Sequence, residues 1–93
     1  MVKIFASIPK RVMHVAGVPD LWWFDDAADP QSREIAFAFT ITDDGNANYL
    51  LICESVDKAY FSDTWHETIE NAIGAAQRMG IGRKEWFTNA AET

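Results

Sequence analysis

The run EIAFAFTIT, residues 34–42, constrains this chain more than any other stretch. Ile35, Phe37, Phe39 and Ile41 alternate with Ala36, Ala38, Thr40 and Thr42. A repeat of two is that of a strand, whose successive side chains leave on opposite faces, so one face here is bulky, apolar and in need of cover. DDGN follows, and then YLLICESV at 49–56, which predicts an antiparallel partner. With Asp44-Gly45 as a two-residue turn, Phe39 meets Leu50 and Phe37 meets Ile52, and all four share one side. In that register Tyr49, Leu51 and Cys53 lie on the other side with Ala36, Ala38 and Thr40. A longer loop around Asn46 is the alternative. AYFS at 59–62 reads as a third strand of the same meander.

The stretch SDTWHETIENAIGAAQRMGI, residues 62–81, carries the opposite period. Trp65, Ile69, Ala72, Ile73, Ala76 and Met79 fall within an arc of about 120° at 100° per residue, a single buried stripe. Thr64 and Glu67 have the spacing of a capping box, in which each side chain satisfies an orphan backbone donor. Gly80 reads as the left-handed stop, with Ile81 as the hydrophobic contact behind it. Gly74 falls on the exposed side and is expected to cost about 1 kcal/mol relative to alanine. Beyond the helix, a turn around Lys84 to Phe87 is expected to be pinned by Trp86 and Phe87. Residues 88–93 are expected to fray.

The first 33 residues are less legible. VKIFASI and RVMHVA read as strands on either side of Pro9, Gly17 to Asp20 as a turn, LWWFD as a strand, and 25–32 as a loop. The expectation is one α+β domain over 1–93. It has two layers: an antiparallel meander of three to four strands, with one main C-terminal helix packed on one face.

Fourteen acidic against eight basic residues give a net charge of −6, and the bases form no stripe. Nucleic-acid binding, which needs a clustered basic face, is therefore not expected. No apolar run has the length of a membrane span or the form of a signal peptide. A single cysteine, Cys53, excludes an intramolecular disulfide and fits a reducing compartment, so a cytoplasmic location is expected.

Candidate sites are few. Asp63, His66 and Glu70 are the one group with ligand-binding potential, His66 lying one helical turn before Glu70. Two residues at that spacing make no metal site, which takes three or four ligands, and no cofactor is expected. Ser62, Asp63 and His66 lack triad geometry, because adjacent residues at a strand end diverge. Cys53, beside Glu54, reads as inert packing. The acidic stretches at 25–29 and 43–46 read as solvated turns.

The run Leu50-Leu51-Ile52, then Asp63-Thr64-Trp65-His66, then Glu70, Ala72, Ala76, Gly80-Ile81 and Trp86 resembles a pattern in small uncharacterised bacterial proteins. Those place a strand before an Asp-Thr-Trp-His helix start and a Trp shortly after the helix. The resemblance spans about residues 48–87, implies the fold and brings no catalytic residue with it. The functional expectation is a non-enzymatic protein-interaction domain, an immunity-type inhibitor or a regulatory adaptor. A protein partner or a second copy would meet it on the apolar second face of the sheet, at Trp22, Trp23, Tyr49 and Leu51. The alternative is a small-molecule or metal-binding protein, weakly catalytic at most, centred on His66, Glu70 and Asp63.

Overall fold

A computed structural model describes residues 4–88 of the chain. The architecture is α+β, with one antiparallel sheet and one α-helix. The strands are β1 (Ile4–Val18), β2 (Leu21–Phe24), β3 (Arg33–Asp43), β4 (Tyr49–Ser55) and β5 (Phe61–His66). Helix α1 (Ile69–Arg78), a 3-10 turn at Arg83–Glu85 and a two-residue strand β6 (Phe87–Thr88) follow. The sheet order is β2-β1-β3-β4-β5, with β6 on β1. This is more strands than the expected meander. The sheet also curls, bringing Trp22 of β2 to 5.6 Å from the ring of Tyr60, just before β5. The helix sits inside the curl, so a flat two-layer description does not hold.

The N-terminal segment forms one bent strand where two were expected. Ile8 pairs with Phe39 and Arg11 with Phe37, so Pro9 and Lys10 together oppose Ala38. That is a β-bulge, and Pro9, with no N–H to give the ladder, suits it. The extra residue switches which positions point inward. Before the bulge Ala6 and Ile8 are buried, and after it Met13 and Val15 are. A pair of residues, Pro19 and Asp20, then turns the chain into β2, whose four residues pair back onto Val15–Val18. Gly17 at φ +94 permits this, since a Cβ there would stand 2.3 Å from the Leu21 carbonyl oxygen.

The β3–β4 pairing corrects the expected register. Phe39 meets Cys53 in place of Leu50, a displacement of three residues (53 against 50), and Phe37 meets Ser55. The strands close at Asp43 and Tyr49, leaving 44–48 as the loop. Two aspartates hold it: Asp43 Oδ1 accepts from the Gly45 amide at 2.6 Å, and Asp44 Oδ1 from those of Asn46 at 2.7 Å and Asn48 at 3.1 Å. Side chains that bond their own loop in this way outcompete the two-residue turn. Because the displacement is odd, it exchanges the faces of β4.

Residues Asp63 to His66 are strand, not helix start. Phe61, Asp63 and Trp65 alternate with Ser62, Thr64 and His66, and β5 pairs with β4 from Glu54↔Phe61 to Tyr49↔His66. The helix is capped one turn later by Thr68, whose hydroxyl accepts from the Asn71 amide at 3.0 Å. Its buried side is Ala72, Ala75 and Ala76, with Ile73 and Met79 packed beside them. The stop agrees with expectation: Gly80 has φ +97, its amide donates to Gln77, and the amide of the fully buried Ile81 donates to Ala76.

The core lies between the helix and the inner side of the curl. Phe37, Phe39, Ile41 and Leu51 are completely buried; Phe24 meets Phe37 edge-on at 5.1 Å, and Trp22 lies tilted against it at 5.4 Å. Trp86 closes one end, as expected, while Phe87 is 68% exposed and pins nothing. Arg11 reaches from β1 to Glu85 Oε1 at 2.7 Å and to the Gly80 carbonyl at 2.9 Å, fastening the chain after the helix to the sheet. Of the tail expected at 88–93, Thr88 pairs with Ala6 and residues 89–93 lie outside the described part.

Candidate functional site

The four residues expected on one interaction face are divided by the structure. Leu51 has no exposed surface and is a core residue. Tyr49 points the same way as Leu51 and packs edge-on against Phe5 at 5.2 Å. Trp22 turns inward onto Phe24, Phe37 and Tyr60. Only Trp23, 52% exposed, stands on the outer face. The odd register displacement accounts for Tyr49 and Leu51, and strand alternation separates the two tryptophans.

Asp63, His66 and Glu70 do not form one site either. Asp63 points outward from β5, opposite Ile52, and His66 points inward, opposite Tyr49. Glu70, on the helix, is held by both carboxylate oxygens to Arg83 at 2.8 and 3.0 Å. His66 shares a hydrogen bond with the Thr64 hydroxyl at 2.7 Å. Partial burial, and secondarily the charge of Arg78, lower its pKa and favour the neutral ring. Cys53 faces the core, opposite to its expected side, and burial pushes its thiol up to about 12, with Asp63 adding to the effect. A thiol so placed is a poor nucleophile. Among the described residues, no three of His, Cys, Asp and Glu are grouped to hold a metal ion.

What the fold does assemble is the outer side of the sheet. Reading faces from the registers, the large apolar side chains that remain exposed all point outward. They are Ile4, Val12 and Val18 of β1, Leu21 and Trp23 of β2, Val56 just after β4, Phe61 and Trp65 of β5, and Phe87 of β6. Between them run the small or half-buried Ala36, Ala38, Thr40, Leu50 and Ile52. The charges directed to this side are mostly acidic, namely Glu34, Glu54 and Asp63, and Lys58 is bound to Glu54 at 3.0 Å. The Trp65 indole donates to Asp44 Oδ2 at 3.0 Å, which fixes its ring beside the β3–β4 loop. The Asn46 amide, with smaller help from Asn48 and Trp65, keeps the Asp44 carboxyl below its ordinary range and therefore charged.

Phe61 and Trp65 lie four residues apart, an even spacing that signals one shared face of a strand. The same spacing also suits a helix, and the helical reading of this stretch takes it. Val12 and Ile4 lack such a signal, because β1 is apolar at nearly every position on both sides of the bulge.

Among the described residues no helix is long and apolar enough to cross a membrane. Comparison with protein-family models, curated proteins and solved structures finds no match to this chain.

Proposed function

We propose that the protein is a small acidic interaction module, an immunity-type inhibitor or regulatory adaptor that acts by binding and not by catalysis. The observation that carries this reading is the one-sided distribution of exposed apolar residues. Taking aromatic side chains at about 150–250 Å² each and the aliphatic ones somewhat smaller, the outer face exposes roughly 1,000 Å² on its large apolar side chains. One side of a standard protein interface contributes about 800 Å², so this face, with Glu34, Glu54 and Asp63 set among its apolar residues, is large enough for one. Trp23, Phe61 and Trp65 are of the residue types that anchor interfaces. The partner is another protein or a second copy of the chain. A buried, unpaired Cys53 supports a reducing compartment such as the cytoplasm.

The test pairs sedimentation of the purified protein with its capture of partners, for the parent and for the outer-face variants Val12→Lys and Trp65→Ala. Both sites are about half exposed, so the variants should melt near the parent temperature. Association should weaken at least about tenfold, as for an interface anchor. Undiminished association by folded variants would falsify the assignment of this face.

A further inference from the structure

The sheet is a barrel left unclosed, and the opening has a definite lining. Its two terminal strands, β2 and β5, border a cleft of about 280 Å³. Leu21 to Phe24 form one wall, Phe61 and Ser62 the other, and Met79 of the helix end also lines it. Leu21 and Phe61 are 72% and 53% exposed, so the walls are apolar and open to solvent.

The backbone of β2 gives the cleft its chemistry. The Asp25 amide donates to the His14 carbonyl at 2.8 Å, which makes Asp25 and His14 a hydrogen-bonded pair of the β1–β2 ladder. Alternation along an antiparallel ladder then turns the N–H and C=O of Trp23 toward β1 and those of Trp22 and Phe24 away from it. The side away from β1 is the cleft. An edge that presents two donors and two acceptors beside apolar walls suits an added strand, whose main chain supplies affinity and whose alternate side chains supply specificity. The charge of the site selects among strands. Asp20 is the one charged residue in the lining, and the chain as a whole carries −6. A segment bearing a lysine or arginine is favoured, and a second copy of this acidic chain is opposed.

We propose that this cleft is a strand-docking site: an extended, apolar segment of a partner protein, with a lysine or arginine placed to meet Asp20, pairs with Trp22 and Phe24 and rests side chains on Leu21 and Phe61. The inference rests on the reading of the protein as an interaction module and adds the kind of segment it takes.

A displayed library of random dodecapeptides tests it directly, selected against the parent protein. Selection should return sequences that alternate apolar residues and carry a lysine or arginine. Bound, they should slow hydrogen exchange at the Trp22 and Phe24 amides while leaving the already paired Trp23 amide unchanged. The double variant Leu21→Ser/Phe61→Ser should lose at least about tenfold in affinity. Asp20→Asn should lose a smaller factor, one that shrinks with added salt. Val12→Lys, which does not line the cleft, should bind the same peptides as the parent, which separates the cleft, whose Leu21 and Phe61 also belong to the outer face, from the rest of that face. A selection without binders, protection at other amides, or binding that survives the double variant overturns the cleft and leaves the outer-face reading standing. Displacement of the peptides by excess protein itself would overturn the basic partner in favour of a second copy.

Discussion

The two sides of β3 share one backbone and meet opposite fates. Phe37, Phe39 and Ile41 have no exposed surface, while Ala36, Ala38 and Thr40, each one residue away, remain partly open. Burial on the inner side is completed by the chain itself, through β1, β4 and the helix. On the outer side Thr42 is buried but the other residues stay partly open, and side chains as large as Trp23 and Trp65 collect there. An inner residue therefore bears on whether the chain folds and, on the proposed reading, an outer one on what the folded chain meets.

The sharpest way to break this comparison is to empty one position on each side. Phe39→Ala should cost about 3–5 kcal/mol in urea unfolding, because it removes transfer energy and leaves a cavity in the closed core. Val12→Lys, on the outer side, should stay within about 0.5 kcal/mol of the parent. Similar costs for the two would mean that the outer side is covered in solution.

Much of this arrangement is legible in the residues, and the failures have identifiable causes. The alternation at 34–42 locates β3 within a residue at either end, and Gly80 with Ile81 marks the helix stop. The register fails at Asp43-Asp44-Gly45, where an Asp-Gly pair with a strong turn preference sits among side chains that favour a longer loop. An error of three residues there is invisible to the apolar pattern of YLLIC, in which Leu50, Leu51 and Ile52 are all suited to burial. That one ambiguity moved Leu51 and Tyr49 to the wrong side of the sheet. β1 is obscure for a related reason, since a bulge in a strand apolar on both faces leaves no alternation to follow.

The boundary between β5 and the helix permits a smaller test. Thr64 and Thr68 each begin a Thr-x-x sequence that can cap a helix, and the structure gives the cap to Thr68. Thr68→Ala should cost about 1 kcal/mol, the usual value of a lost cap. Thr64→Ala, at an exposed strand position, should cost less, and thermal melts of the pair would show it. A larger loss at Thr64 would return the helix start to the earlier residue and take Trp65 off the outer face.

Gly74 reverses the sign. It lies in the middle of the helix with ordinary helical φ, and a Cβ there would meet nothing within 4 Å. Gly74→Ala should stabilise by about 0.5–1 kcal/mol, through the smaller backbone entropy of the unfolded chain. No stabilisation would indicate that the position is kept open for a contact the isolated chain does not make.

The weakest expected effect concerns the clip that holds the inner side shut. Glu85 accepts from Arg11 and from the Gly82 amide, and these bonds, Arg11 first, hold its carboxyl below the ordinary 4.5. A carboxyl with a lower pKa folded than unfolded binds fewer protons in the folded state, so its contribution is whole above pH 4.5 and fades as pH falls through the lower folded value. Both side chains of the pair are about one-third exposed, so solvent and salt keep the contribution small. Melting temperatures of the parent and Glu85→Gln, followed from neutral pH into acid, should therefore differ most at neutral pH and converge below pH 4.5. A constant difference would assign the role of Glu85 to packing and not to charge. The attachment of the post-helix segment would then rest on Trp86, Ile81 and the Arg11 bond to the Gly80 carbonyl.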